Sequence, residues 1–155
     1  KKPAQPLAEG KDFSIETAGQ NDFSQIHELL QSSGLSADGV DPQTGKYYMA
    51  AREPGAIMGV LGFEAYGTSA LLRSLAVGPQ FKKCGIAKEL MEYVLHALHE
   101  QGFHEIYLLT NTAAKYLSRY GFVQIDRGQI PADILAESAL GCTCPDSSTC
   151  MYLKL

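Results

Sequence analysis

The order of hydrophobic runs predicts a mixed α/β fold, a central mixed β-sheet flanked by helices, and two observations carry that prediction. Three β-rich runs follow one another between residues 47 and 77: "YYMAARE", "AIMGVLGFEAY" and "SALLRSLAV", separated by Pro54-Gly55 and by Gly67. Turn residues between such runs make an antiparallel meander. The third run is then followed by an amphipathic helix and by "HEIYLLT". A crossover helix is the usual link between parallel strands, so these two strands are expected to lie parallel and side by side.

The other elements fall into place around this core. "KKPAQPLAEGK" reads as a loose tail over residues 1–11, which leaves a single domain over 12–155. "FSIETA" is a short strand. "NDFSQIHELLQSSG" is a helix with Asn21 or Asp22 as its cap, Gly34 as its stop and Phe23, Ile26, Leu29 and Leu30 as its buried stripe. "LSADGVDPQTGK" carries Gly, Pro and Asp at turn positions and reads as a mobile connection of the kind that borders a binding site. The central helix runs from about Gly85 to Gln101, with Ile86, Leu90, Val94, Ala97 and Leu98 on one stripe and Gly102 as its C-terminal cap. After "HEIYLLT", the run "TAAKYLSRY" forms a short helix ending at Gly121 and "FVQIDRGQ" a strand. "PADILAESALG" is then a helix with Pro131 in its first turn, and "CMYLKL" a final strand.

Composition narrows the function. A net charge of −4 argues against a nucleic-acid partner, which demands a basic stripe. No run approaches the roughly 18 apolar residues of a membrane span, and the tail lacks the apolar centre of a signal peptide, so a cytoplasmic protein is expected. In that compartment Cys84, Cys142, Cys144 and Cys150 are thiols rather than a disulfide framework. His27, His96, His99 and His104 show no metal-ligand spacing, and no metal requirement is expected.

The stretch "FKKCGIAKEL" sets Lys82, Lys83, Cys84 and Gly85 directly against the start of the central helix. A helix N-terminus offers unpaired backbone N–H groups and a positive dipole end, so the stretch reads as a local anion site in an acidic protein. With its flanks, "LLRSLAVGPQFKKCGIAKELMEYVLHAL", it resembles the acetyl-CoA-binding signature of the GNAT superfamily of N-acetyltransferases. There a strand ending L-A-V-x-P leads into R/Q-x-x-G-x-G/A and a helix. Lys82 takes the Arg/Gln place, Gly85 matches and Ala87 takes the last place. "YLLTNTAAKYLSRYGFVQID" is similar to the second half of that fold. "GFEAYGTSALLRSLAV", "LLTNTAAKYL" and "CPDSSTCMYLKL" look like the small GNAT proteins associated with arsenic-resistance operons. The second half also resembles, more loosely, the acetyltransferase domain of N-acetylglutamate synthases.

The resemblance implies central parallel strands that splay, acetyl-CoA as cosubstrate, and transfer of its acetyl group to a small-molecule amine. It implies that backbone amides of Lys82, Lys83, Cys84, Gly85, Ile86 and Ala87 cradle the pyrophosphate of coenzyme A and that Asn111 contacts the cofactor. It also puts the thioester oxygen against a backbone N–H of the Leu75, Ala76 and Val77 segment. A homodimer is expected by analogy. Cys84 stands where many members carry Arg or Gly, which removes one charge contact but not the amide cradle.

Two departures affect the chemistry. Several members carry a catalytic Glu at the position of Leu71, and many use a tyrosine at the position of Leu117; here Tyr116 and Tyr120 flank that place. Tyr116 is the candidate general acid, although a neighbour on a helix points about 100° away. Glu64, near the end of a central strand with Tyr66 on the same face, is the candidate base, and a solvent-exposed strand-end carboxylate is its alternative reading. Arg73 interrupts "ALLRSLAV". A cation there needs either a protein carboxylate, with Glu64 as a structural partner and both residues then removed from the catalytic set, or an anionic substrate. With Arg73 and Tyr66 as substrate-binding residues, an amino acid or amino-acid-like toxicant follows as acceptor, with arsenic resistance as the associated role. An alternative from another class rests on "CTCPDSSTC". Its three soft ligands within nine residues suit a thiolate site for a metalloid on a scaffold that binds coenzyme A without turnover.

Overall fold

The computed structural model describes residues 13–34, 40, 43, 45–52, 56–81, 85–110, 114–132, 134 and 149–155. Its strands are Ser14–Thr17 (β1), Lys46–Ala51 (β2), Ile57–Tyr66 (β3), Ser69–Val77 (β4), Glu105–Thr110 (β5), Val123–Ile125 (β6) and Thr149–Lys154 (β7). Its helices are Phe23–Ser32 (α1), Ile86–Glu100 (α2) and Ala114–Ser118 (α3). The strands form one seven-stranded sheet in the order β1-β2-β3-β4-β5-β7-β6. β4 and β5 are parallel neighbours, as the crossover rule required, with Ser69–Leu71 opposite Glu105–Tyr107. The β1–β2, β5–β7 and β6–β7 pairs are antiparallel, so the sheet is mixed. Among the described residues the β4–β5 ladder stops at Leu71, while β4 itself runs on to Val77.

The chain gathers into two compact units. One comprises Lys1–Gly62 with Ser74–Ala97, and the other Phe63–Arg73 with Leu98–Leu155. In the first, α1 presents Phe23, Ile26 and Leu30 to Tyr47, Val60 and Ala76. Each fully buried aliphatic side chain of this kind contributes about 1.5–3 kcal/mol. The neighbouring face of β3 belongs to α2: a Cβ added at Gly59 would meet Ile86 at 3.0 Å and Leu90 at 3.3 Å. Gly62, on the α1 side by strand alternation, is needed for a different contact. The Tyr47 ring lies where its side chain would be, 2.2 Å from an added Cβ.

In the second unit Leu71, Tyr107, Ile130, Ile134 and Cys150 form a buried cluster, flanked by Tyr66, Leu109, Ile125 and Tyr152. β7 lies between β5 and β6, with Tyr107 and Val123 both in register with Tyr152. The Tyr107 and Tyr152 rings are 5.2 Å apart, a cross-strand aromatic pair.

Several local expectations are refined. Asp22 does not cap α1 with its side chain; Gln20–Asp22 forms a 3-10 turn, and Asp22 Oδ2 reaches back to accept the Gly19 N–H at 2.8 Å. The reason is its helical backbone, φ −88°, ψ −13°, which makes Asp22 part of the preceding turn. Leu29 is half-buried, and Met91 joins the α2 stripe where Ala97 is half-buried. The strand expected over 122–129 is only Val123–Ile125, because Arg127–Gln129 turns: Asp126 accepts the Gln129 N–H, and Gln129 Oε1 accepts the Asp126 N–H at 2.8 Å. Gly34 and Gly102 end α1 and α2 as expected, at φ 78° and 90°. Phe103 N–H bonds back to Leu98 O at 3.0 Å. The tail 1–11 lies outside the described residues, and so does the connection 35–46 apart from Val40, Gln43, Gly45 and Lys46. The described part of that connection includes a buried anchor, since Val40 packs into the α1 cluster. Of the helix expected over 131–141, Ala132 and Ile134 are helical and most of the rest lies outside the described residues.

Candidate active site

In the first unit, β4 leads through Gly78 and a 3-10 turn at Pro79–Phe81 toward α2. The turn is held at both ends: the Gly78 N–H bonds to Met58 O and the Phe81 N–H to Gly78 O, each at 2.9 Å. Gly85 has φ 80°, a left-handed conformation that costs a residue with a Cβ about 1–2 kcal/mol. Its carbonyl accepts the Glu89 N–H at 3.0 Å, which starts the helix. The N–H groups that follow, at Ile86 and Ala87, have no acceptor within α2 by helix geometry. The first turn of a 15-residue helix therefore supplies the donors and the dipole that a pyrophosphate needs. The buried Ile86 side chain pins this end against Gly59. Lys82, Lys83 and Cys84 lie outside the described residues, as does Asn111.

Leu75 and Val77 are half-buried and Ala76 is buried. Immediately before them stands a feature that the sequence did not announce: Ser74 has φ 65°, the one left-handed residue other than glycine among those described. Such a conformation costs about 1–3 kcal/mol, so it persists only where its surroundings over-determine it. Serine carries no special preference for it. A pocket of about 560 Å³ opens in the same unit, with Gln25, Glu28, Leu29 and Ser32 on one face of α1 and Ala56, Gly78, Pro79 and Phe81 among the residues opposite.

In the second unit the three sequence candidates Glu64, Tyr66 and Arg73 meet. Arg73 Nη1 donates to Glu64 Oε2 at 2.7 Å, and the Tyr66 hydroxyl donates to Glu64 Oε1 at 2.6 Å. Glu64 is the one charged side chain in the described core. The hairpin explains the meeting: the two-residue Gly67–Thr68 turn folds β4 back on β3 and sets Arg73 on the same face as Glu64, as a diagonal neighbour within reach of its long side chain, while alternation puts Tyr66 beside Glu64. A few residues away Glu105 binds Ser69 Oγ at 3.3 Å and the Tyr152 hydroxyl at 3.1 Å. Burial, followed by that hydrogen bond and the charge of Glu105, raises Tyr152 above its ordinary value of 10.0.

Tyr116 lies in α3 and Tyr120 in the turn that follows it. Their hydroxyls are 2.6 Å apart, and the Arg119 guanidinium lies 5.0 Å from the Tyr116 ring centre. Leu117, at the position where the resemblance expects a tyrosine, points into the core. Cys150 is buried in β7 opposite Leu109 and Ile125, whereas Cys142 and Cys144 lie outside the described residues. His27 packs against Phe23 and hydrogen-bonds Val40 O; His96, His99 and His104 are exposed. No helix among the described residues is long and apolar enough to cross a membrane.

The model of the acetyltransferase (GNAT) family matches residues 16–122, which include β4, the turn, α2 and the three-residue cluster. An uncharacterized N-acetyltransferase of Chlorobaculum tepidum is 30% identical over 105 residues, 66% of this chain and 64% of that protein. A crystal structure of a GNAT-family acetyltransferase from Staphylococcus aureus Mu50 superposes with a TM-score of 0.72 at 19% identity, covering 92% of this chain and 99% of that one. N-acetylglutamate synthase from Neisseria gonorrhoeae, complexed with coenzyme A and N-acetyl-glutamate, gives a TM-score of 0.76 at 15% identity over 92% of this chain and 35% of that one. Sequence match, fold and helix-start geometry converge, and the chain belongs to the acetyltransferase (GNAT) family.

Proposed function

We propose that the chain is an acetyl-CoA-dependent N-acetyltransferase whose acceptor is a small amine bearing a carboxylate, an amino acid or an amino-acid-like toxicant. Family membership supports the reaction class. The start of α2 supports the cosubstrate, because Gly85 and the free amides of Ile86 and Ala87 suit a pyrophosphate. Lys82, Lys83 and Asn111 are proposed to complete that contact, and the backbone of Leu75, Ala76 and Val77 to hold the thioester oxygen, where a preorganised donor acts on developing charge.

The observation that carries the acceptor class is Arg73, a cation in the middle of a core strand. A guanidinium there suits a carboxylate, and a polyamine would be repelled. The fold neighbour from Neisseria gonorrhoeae was crystallised with an acetylated amino acid, which is compatible with this class. Amino-acid-like arsenicals belong to it, and they connect the chain to the arsenic-resistance proteins that its sequence resembles. The cost of deprotonating the acceptor sets the need for a base. An amine of pKa near 10.4 requires about 4 kcal/mol at neutral pH, one near 8 only about 1 kcal/mol. Glu64 is the proposed base and Tyr116 the proposed acid.

Chromatographic detection of free coenzyme A from acetyl-CoA, across amino acids, amino-acid-like herbicides and arsenicals, polyamines and short peptides, tests the proposal. Turnover confined to carboxylate-bearing amines and lost in Arg73→Ala is the expected result. Turnover of polyamines alone would overturn the acceptor class, and coenzyme A binding without turnover of any amine would overturn the enzyme reading.

A further inference from the structure

The carboxylate of Glu64 is engaged on both oxygens, by Arg73 at 2.7 Å and by Tyr66 at 2.6 Å, and a base so engaged must change partners before it can take a proton. Of the ion pair, Arg73 is the more exposed member, 12% of its side chain against 6% for Glu64, so an incoming anion meets the guanidinium first. Building on the acetyl transfer proposed above, we infer that the acceptor's carboxylate exchanges with Glu64 on Arg73, and that this exchange hands Glu64 to the acceptor's ammonium group.

Charge balance favours the exchange for one kind of ligand. The Glu64–Arg73 pair is neutral, and a zwitterion added to it leaves the charge of the site unchanged. A polyamine would bring uncompensated positive charge into the same place, and a carboxylic acid without an amine would bring negative charge; burial penalises both. The ligand's two charges take the places of groups that touch in the resting site, 2.7 Å apart, so a ligand with its ammonium and carboxylate on one carbon fits best. That is an α-amino acid skeleton rather than an amine with a remote carboxylate.

Glu64 then takes a proton from the ammonium, directly or through one water: an N–H bond breaks and an O–H bond forms on Oε2. The neutral nitrogen so formed, with its lone pair free, is the nucleophile that the acetyl transfer proposed above requires. Tyr66 holds Oε1 throughout, which makes it a positioning residue, whereas Glu64 is a catalytic residue.

The test compares α-amino acids with their carboxamides as acceptors, in the wild type, Glu64→Gln and Tyr66→Phe, with coenzyme A binding by each variant as the check on folding. Carboxamides should lose at least about 100-fold in kcat/KM, the scale of rejection by a site built to bind a group the ligand lacks. Glu64→Gln should lower kcat about 100-fold or more with KM little changed, the scale of lost base catalysis. Tyr66→Phe should shift the acid limb of the kcat–pH profile, which a purely structural residue would not do. A second readout needs neither turnover nor a variant. In ¹³C NMR of the wild type with coenzyme A, the Glu64 carboxylate signal should move on addition of the amino acid and stay in place with its carboxamide. Equal turnover of acids and carboxamides, a Glu64→Gln effect confined to KM, or an unmoved carboxylate signal would each overturn the exchange and leave acetyl transfer standing. Absence of coenzyme A release with every amine would overturn acetyl transfer and the exchange with it.

Discussion

The start of α2 and the Glu64–Tyr66–Arg73 cluster both handle charge, and they are built from opposite materials. The first depends on side chains that are absent: Gly85 adopts a left-handed backbone, Gly59 lets the helix end approach β3, and the donors are main-chain amides. The second depends on side chains that are present and bonded to one another. The contrast teaches where each unit is vulnerable. Adding atoms should damage the first, and removing them should damage the second.

The largest effect should come from halving the ion pair. Arg73→Ala leaves a buried carboxylate without its cation, and denaturant unfolding should show a loss of about 3–5 kcal/mol. Replacing both partners by apolar residues of similar volume, Glu64→Leu with Arg73→Met, should restore most of that stability without restoring activity. Next comes an added methyl in the first unit. Gly62→Ala drives a Cβ to 2.2 Å from the Tyr47 ring and should cost about 1–3 kcal/mol in the same assay. Gly85→Ala should cost about 1–2 kcal/mol and also weaken coenzyme A binding by calorimetry, because the left-handed turn places the helix amides.

Tyr152 offers a gentler probe of the second unit through pH. Its folded-state value is raised, so the stability it contributes is fully present below about pH 10 and is lost as pH rises through the folded value. Urea midpoints between pH 8 and 11 should fall less steeply in Tyr152→Phe than in the wild type. The smallest effect should be at Lys88–Glu92, an exposed i,i+4 pair at 3.8 Å on α2. Lys88→Ala should cost about 0.3 kcal/mol, which would confirm that side-chain charge matters little at that end of the first unit.

The same contrast explains what the sequence could reveal. The helix start at Gly85 was legible because its signal is local: the glycine stands next to an amphipathic run, and both lie within a few residues. The parallel β4–β5 pair was legible from element order alone. Strand alternation placed Glu64 and Tyr66 on one face, yet it left two readings for Arg73. Which carboxylate a cation meets depends on hairpin register across nine residues, and that is settled by the Gly67–Thr68 turn. Ser74 was invisible because its backbone is imposed by its surroundings and not by its own preference. Asp22 and the 126–129 turn were misread for a related reason, since polar side chains near an element's end can bond either inward or back along the chain.

The position of β7 between β5 and β6 bears on how the protein is made. β6 has β7 as its sheet neighbour, and β5 reaches β6 only across it, so residues 123–125 cannot join the sheet before residues 149–154, whereas β5 already has β4 to pair with. On the ribosome, where the chain emerges from its N-terminus, β6 stays out of the sheet until β7 has cleared the exit tunnel. Over that interval the β5 edge stands open to a chaperone or to the matching edge of another nascent chain.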